Sequence, residues 1–318
     1  MLPTQKPHVT LFVAMPTRDT EWPLRRAIRA AWASTSVVKV DPPRVAYRFF
    51  MDERSGPEEH DTVILDDPTM TQALQGAPFA KFKEALSGRH TSHPHASFGS
   101  CGTTRWTDIN LSMGGWALRY YDFEWFLRLD TDAVLCVDHV LDSLSRPPFA
   151  GSHSSHVMAG HAAHPGHESW CTFDEFFYLV SRGTVETLVA NYKPFKENAT
   201  WASRFSLGLS TNAPLLLRFA QVNVEAYNAI SSADSDVLPL IISPDHSAYG
   251  GSCERYFALH AFKKPPQYQL AWEQGMKIIP GGSLQFQGGQ WAKYDWSQCK
   301  FGPRLKHRGR NCSYAAAT

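Results

Sequence analysis

The stretch WFLRLDTDAVL, Trp125–Leu135, decides the fold of this chain. Trp125, Phe126, Leu127 and Leu129, broken only by Arg128, predict a strand buried on both faces. Asp130 and Asp132 follow, one residue apart, where burial should end. Two carboxylates that close repel each other unless a metal ion, a basic side chain or solvent lies between them. Mn2+ and Mg2+ take carboxylate oxygens together with phosphate oxygens and water, so an Asp-x-Asp at a strand end can hold a metal facing a diphosphate. The bland alternative is a strand-ending turn in which an aspartate caps the next segment.

Working outward, HVTLFVAM (His8 to Met15) predicts a first strand that ends at PTRD. Asp19 or Thr20 then caps a helix in which Pro23 takes an early position and Leu24, Ile28, Ala31 and Trp32 share a face. RVAYRFFM (Arg44 to Met51) and DTVILD (Asp61 to Asp66) are the next two strands, and FAKFKEAL is a short helix. A helix over Thr107 to Tyr121, capped by Thr107 or Asp108 and striped by Ile109, Met113, Trp116, Ala117 and Tyr120, feeds the WFLRLDTD strand. The alternation predicts an α/β fold: a mixed, mostly parallel sheet flanked by helices in a single large domain. In such open sheets ligands bind at the carboxyl ends of strands, where Asp130 and Asp132 fall.

Further along, DHVLDSL predicts a helix closed by Pro147 and Pro148, and FFYLVS a strand. TVETLVANY and PLLLRFAQVNVEAYNAI predict helices, VLPLIIS a strand or a helix end, and SLQFQGGQWAKYDW a hairpin. The tract from Ser152 to His167 carries His153, His156, His161, His164 and His167, and reads as a solvated loop rather than a metal cluster.

At 318 residues, with 43% hydrophobic and 19% charged residues, the chain can bury a large core. Its net charge of +1 gives no signature for binding a polyanion, so nucleic acid is not an expected partner. No apolar run approaches the roughly 20 residues that cross a bilayer, and no basic-then-apolar signal segment opens the chain. Cys101, Cys136, Cys171, Cys253, Cys299 and Cys312 form no C-x-x-C pair, which argues against a thiolate zinc site and for disulfides in an oxidising compartment. Asn-x-Ser/Thr sites at Asn110, Asn198 and Asn311 agree with a secretory address.

An apolar strand running into D-x-D, after an α/β amino-terminal half, resembles the GT-A fold glycosyltransferases. Within them, RRAIRAAW (Arg25 to Trp32) with the strand YRFFMDE resembles the R-x-A-I-R-x-T-W segment of the β-1,3-galactosyltransferase and fringe-like family. The chain departs from that family at Ala31, usually Thr, and at Thr131, usually a third Asp. SADSDVLPL resembles the family's catalytic-base segment and ALHAFKKP the segment of its metal-binding histidine. The resemblance implies Asp130, Asp132 and His260 as ligands of Mn2+ or Mg2+, and Asp236 as the base that deprotonates the acceptor. Arg18, Arg25, Asp66 and Asp130 would face the nucleotide sugar, with a UDP-sugar favoured and transfer to a glycan or glycoconjugate hydroxyl, by inversion. It implies a transferase domain over residues 1–264, with a nucleotide-sugar half over 1–135 and an acceptor half over 136–264, and a loop-rich extension over 265–318 packed on it. A Golgi lumen address is the corresponding expectation.

YYDFEWFLRLDTD also resembles the lead into the metal motif of the fungal α-1,2-mannosyltransferases, which implies a retaining enzyme using GDP-mannose. Two other classes remain open on the residues: a glycan-binding module stacking sugars on Trp272, Trp291 and Trp296, and a hydrolase that splits a nucleotide sugar with water.

Overall fold

The computed structural model describes residues 5–51, 59–65, 104–163, 172–198, 200, 209–230, 253, 257–260, 262–275 and 290–294. β1 (His8–Pro16) is followed by α1 (Trp22–Ala30), α2 (Ser36–Lys39), β2 (Val45–Met51) and β3 (Thr62–Ile64). Next come α3 (Thr104–Tyr120), β4 (Asp122–Leu129), β5 (Val134–Leu135) and α4 (Val137–Leu144). The chain continues through β6 (Val157–Ala163), β7 (Thr172–Ser181), α5 (Arg182–Glu197), α6 (Leu209–Phe219) and β8 (Glu225–Ile230). β9 (Ala258–Leu259), α7 (Pro265–Gly275) and β10 (Gln290–Tyr294) complete the described α-helices and strands, and short 3-10 turns at Asp19–Glu21 and Trp32–Ser34 flank α1.

β1 and β4 are the apolar centre of the sheet because both of their faces are covered. On one face Leu11, Val13 and Met15 of β1 join Trp125, Leu127 and Leu129 of β4 in a core with residues of α1, α4 and α7. On the other, Val9, Phe12 and Ala14 join Phe126 beneath α3, α5 and α6. Each fully buried aliphatic or aromatic side chain here contributes about 1.5–3 kcal/mol relative to exposure. α3 lies close against α5 because Gly114 has no side chain; a Cβ there would stand 2.9 Å from Cγ1 of Val185.

Eight strands pair in the order β10-β8-β6-β7-β4-β1-β2-β3. The run β3-β2-β1-β4 is parallel throughout, β7 is antiparallel to both β4 and β6, β8 is parallel to β6, and β10 is antiparallel to β8. The sheet is therefore mixed and mostly parallel between two helical layers, the fold class expected from the sequence. After β1 the chain moves outward to β2 and β3, then returns through α3 to place β4 on the other side of β1. That reversal makes a topological switch point at the carboxyl ends of β1 and β4, the position where doubly wound sheets bind ligands.

Four local expectations need correction. The predicted helix before β4 begins three residues earlier, at Thr104. The stretch Pro214 to Ile230 is not one helix: α6 ends at Phe219, and Glu225–Ile230 is a strand. The helix is closed by paired backbone bonds, Gln221 N–H to Arg218 O and Val222 N–H to Leu217 O, with Gln221 at a φ of 57°. Such an ending usually uses glycine or asparagine, so glutamine gave no signal. The histidine tract is not all loop, since Val157–Ala163 is β6. Asn110 lies buried within α3, unlike Asn198, which is exposed at the end of α5.

FAKFKEAL and VLPLIIS lie outside the described residues. So does the first part of the predicted hairpin; its later part, β10, pairs with β8. Beyond residue 264, α7 packs against α1, and β10 forms an edge of the large sheet. No helix among the described residues is long and apolar enough to cross a membrane.

Candidate metal centre

Asp130 leaves the end of β4 with its N–H donated to Phe176 O on the neighbouring β7, which fixes where the strand stops. The next turn is closed by Ala133 N–H to Asp130 O. β5 follows at once and pairs with β9 in a two-stranded antiparallel sheet, Val134 opposite Leu259 and Leu135 opposite Ala258. This small sheet brings His260 beside Asp132 despite more than a hundred intervening residues.

Three further ties hold the same junction. Phe262 N–H donates to Asp132 O at 2.7 Å. Buried Tyr268 of α7 donates its hydroxyl to Ala133 O and accepts from Trp32 Nε1. The Cys136–Cys253 disulfide, across 117 residues of sequence, joins the start of α4 to the segment leading into β9. A cross-link closing a loop of that length stabilises by roughly 4–5 kcal/mol on a chain-entropy account.

One ligand atom from each of Asp130, Asp132 and His260 falls within a span of 4.8 Å. His260 Nε2 stands 3.0 Å from Asp132 Oδ1 and 3.9 Å from Asp130 Oδ2. All three side chains retain access to solvent, with 33%, 17% and 25% of their surface exposed. The His260 ring stacks on Phe176 with centroids 4.4 Å apart, so its orientation is set by packing. The donor set, two carboxylates and one imidazole with room left over, suits Mn2+ or Mg2+ with open positions for other oxygen ligands.

The electrostatics of the two aspartates differ. Packed surroundings push the Asp130 carboxyl above its ordinary range even though a third of the side chain is exposed, and the charge of Asp132 adds to this; Arg128 and His260 oppose it. Buried Arg128 reaches Asp130 Oδ1 from β4 at 2.7 Å. For Asp132, burial also acts upward, but the His260 hydrogen bond and the charges of His260 and Lys263 outweigh it and hold the carboxyl below the usual range.

Thr131, between the two aspartates, is buried and turned the other way: its hydroxyl donates to Glu21 Oε2 at 3.1 Å. Arg18 is exposed two residues after β1, and its N–H donates to the same Glu21 Oε2. Arg25 is buried, donating to Glu59 at 2.7 Å, to Arg18 O at 2.7 Å and to Thr17 Oγ1 at 3.3 Å, so its donors brace the β1–α1 turn. Asp66 and Asp236 lie outside the described residues, as does Asp234. Asp174 and Glu175 occupy β7 just before Phe176.

Glu21, Arg128, Phe176, Lys263 and Tyr268 were not picked out from the sequence. Lys263 alone carried a signal, as an exposed basic residue three positions after His260. Arg128 joins it locally, two residues before Asp130 on β4, whereas Glu21, Phe176 and Tyr268 join only through strand pairing and long-range packing.

No protein-family model and no curated protein sequence matches the chain. Among solved structures it is similar to a glycosyltransferase involved in glycosylation of the major capsid of PBCV-1, at 12% identity and a TM-score of 0.40, covering 83% of this chain and 98% of that one. It is also similar to the galactosyltransferase LgtC in complex with donor and acceptor sugar analogs, at 9% identity and a TM-score of 0.39, covering 85% and 98%. Mouse xyloside xylosyltransferase 1 gives 11% identity and a TM-score of 0.39, covering 80% and 97%. With TM-scores of 0.40 and below, these likenesses carry no argument about activity.

Proposed function

We propose that this protein is a metal-dependent glycosyltransferase that moves a hexose-type sugar from a nucleotide diphosphate sugar, a UDP-sugar in the first instance, to a hydroxyl of a glycan or glycoconjugate. The observation that carries the reading is the convergence of Asp130, Asp132 and His260 at the carboxyl end of β4, next to the point where the strand order reverses. Mn2+ or Mg2+ bound there would supply Lewis-acid stabilisation of a diphosphate leaving group.

The chain's own residues supply the rest. Asp130 and Asp132 provide negative charge for the cation, while Arg128 behind Asp130 limits their mutual repulsion. His260, held flat against Phe176, presents Nε2 toward both carboxylates. Lys263 and Arg18, both exposed, are the cations we assign to the diphosphate rim. For proton abstraction from the acceptor hydroxyl during inversion we assign Asp236, on the family resemblance of SADSDVLPL. A secretory, Golgi-type setting belongs to the same proposal and accords with the Cys136–Cys253 disulfide.

The test is release of nucleoside diphosphate from a panel of UDP- and GDP-sugars, with and without simple glycosides as acceptors, in Mn2+ or in chelator. A transferase gives release that needs both metal and acceptor. Metal-dependent release that ignores the acceptor would make the protein a hydrolase, and no release with any donor would leave a binding module.

A further inference from the structure

We infer that Glu21 is a positioning residue for the D-T-D turn, acting through the hydroxyl of Thr131. The inference rests on the metal-site reading and adds the element that aims its two aspartates.

Glu21 ends the short 3-10 turn after β1, the strand that neighbours β4 in the sheet. A single carboxylate oxygen, Oε2, accepts from Thr17 Oγ1 at 3.0 Å, from the Arg18 N–H at 3.1 Å and from Thr131 Oγ1 at 3.1 Å. The first two bonds fix Glu21 to its own turn; the third crosses to the middle of the metal motif. The segment is a turn closed by Ala133 N–H to Asp130 O, with Thr131 at its first central position. Holding the Thr131 hydroxyl on Glu21 fixes that turn, whose two aspartates each bring a ligand atom within 4.8 Å of one from His260.

The anchor is itself anchored. Arg25 donates to Thr17 Oγ1 and to Arg18 O, and its other side is paired with Glu59, which also receives Arg29. Arg29 in turn makes a two-bond fork with Asp61 at 2.9 and 2.6 Å. A continuous polar lattice thus runs from the start of β3 beneath α1 to the centre of D-T-D. Among the described residues, Glu21 is the link in it that touches the motif. This also accounts for Thr131: a third aspartate there would set a carboxylate against Glu21, whereas a threonine hydroxyl can donate to it.

The test measures Mn2+ affinity directly, from the electron-spin signal of free Mn2+, together with the thermal midpoint in the absence of metal. Thr131→Val removes the hydroxyl at nearly constant volume and is expected to weaken Mn2+ binding about tenfold, as loss of an orienting outer partner does, with the metal-free midpoint little changed. Thr131→Ser restores the donor and is expected to recover affinity to within about twofold. Glu21→Ala is expected to show the same loss as Thr131→Val, and the double variant no further loss, since the two residues act as one unit. Should Glu21→Ala fail to fold, the valine and serine pair still decides. Wild-type affinity in Thr131→Val, no recovery in Thr131→Ser, or losses that add in the double variant would each overturn the inference and leave the metal site standing. Absence of Mn2+ binding by the wild-type protein would remove both.

Discussion

Two groups of acidic residues in this molecule have similar composition and different fates. Glu59 and Asp61 at the start of β3 meet Arg25 and Arg29, two carboxylates against two guanidiniums, with Asp61 buried and Tyr47 adding a further donor at 2.9 Å. Asp130 and Asp132 meet Arg128 from behind and His260 from the front, and all but Arg128 stay partly open to solvent. The first group is closed: guanidinium forks fill its lone pairs and have no electron pair to give an ion. The second is open, because an imidazole has a nitrogen lone pair to give a metal and all three side chains keep access to solvent. Charge content alone does not make a site; the kind of cation opposite the carboxylates, and access to it, do.

The largest expected effect comes from breaking the closed group. Arg29→Ala leaves buried Asp61 without its guanidinium, with Tyr47 as the donor that remains, and should cost about 3 kcal/mol by denaturant unfolding, the low end of the range for a buried pair that loses one partner. Mn2+ affinity of the folded variant should stay within about threefold of wild type, because the ligands are untouched. The opposite pattern would make the two groups one cooperative unit.

Asp132→Ala should reverse those readouts. Loss of a metal ligand is expected to lower Mn2+ affinity at least about a hundredfold, beyond the range for outer-shell partners, and to abolish metal-dependent turnover. Its metal-free thermal midpoint should fall only slightly, since the lost His260 contact, which holds the Asp132 carboxyl below its usual range, is partly offset by relief of repulsion against Asp130. An unchanged Mn2+ titration would move the metal away from this turn.

The smallest effect separates the groups by pH. Burial acts to raise the carboxyls of Glu59 and Asp61, but hydrogen bonds from Arg29, with Arg25 on Glu59 and Tyr47 on Asp61, outweigh it and hold both below the usual range. A carboxyl depressed in the folded state adds stability that is complete above its unfolded pKa and is lost as pH falls through the folded one. This pair should therefore make the metal-free midpoint fall below about pH 4, near and under the ordinary carboxylate values. Arg29→Ala should weaken that acid dependence; a midpoint that falls equally steeply without Arg29 would place its origin in other carboxylates.

Legibility followed the same division between local and distant causes. The β1 and β4 strands, the burial of β4 on both faces and the crossover helix between β3 and β4 were readable because runs such as LFVAM and WFLRL favour an extended, buried geometry. The helix-to-strand break after Phe219 was not, because the left-handed residue that ends α6 is Gln221, with no glycine to announce it. Asp130 and Asp132 were visible as a motif, and His260 came forward only through a family resemblance. Glu21 and Phe176 had no signal, since a glutamate one turn after a strand and a phenylalanine within one are ordinary.

By itself the sequence determined an α/β sheet with two carboxylates at the carboxyl end of its central strand, because hydrophobic periodicity and turn chemistry are written residue by residue. Only the tertiary structure decided which residues those carboxylates would face. The β5–β9 pairing and the Cys136–Cys253 link carry His260 across the sequence to Asp132, and the reversal of strand order sets Glu21 against Thr131. Partners that meet through pairing and packing leave no trace in the spacing of a chain; they exist once the sheet has closed its order.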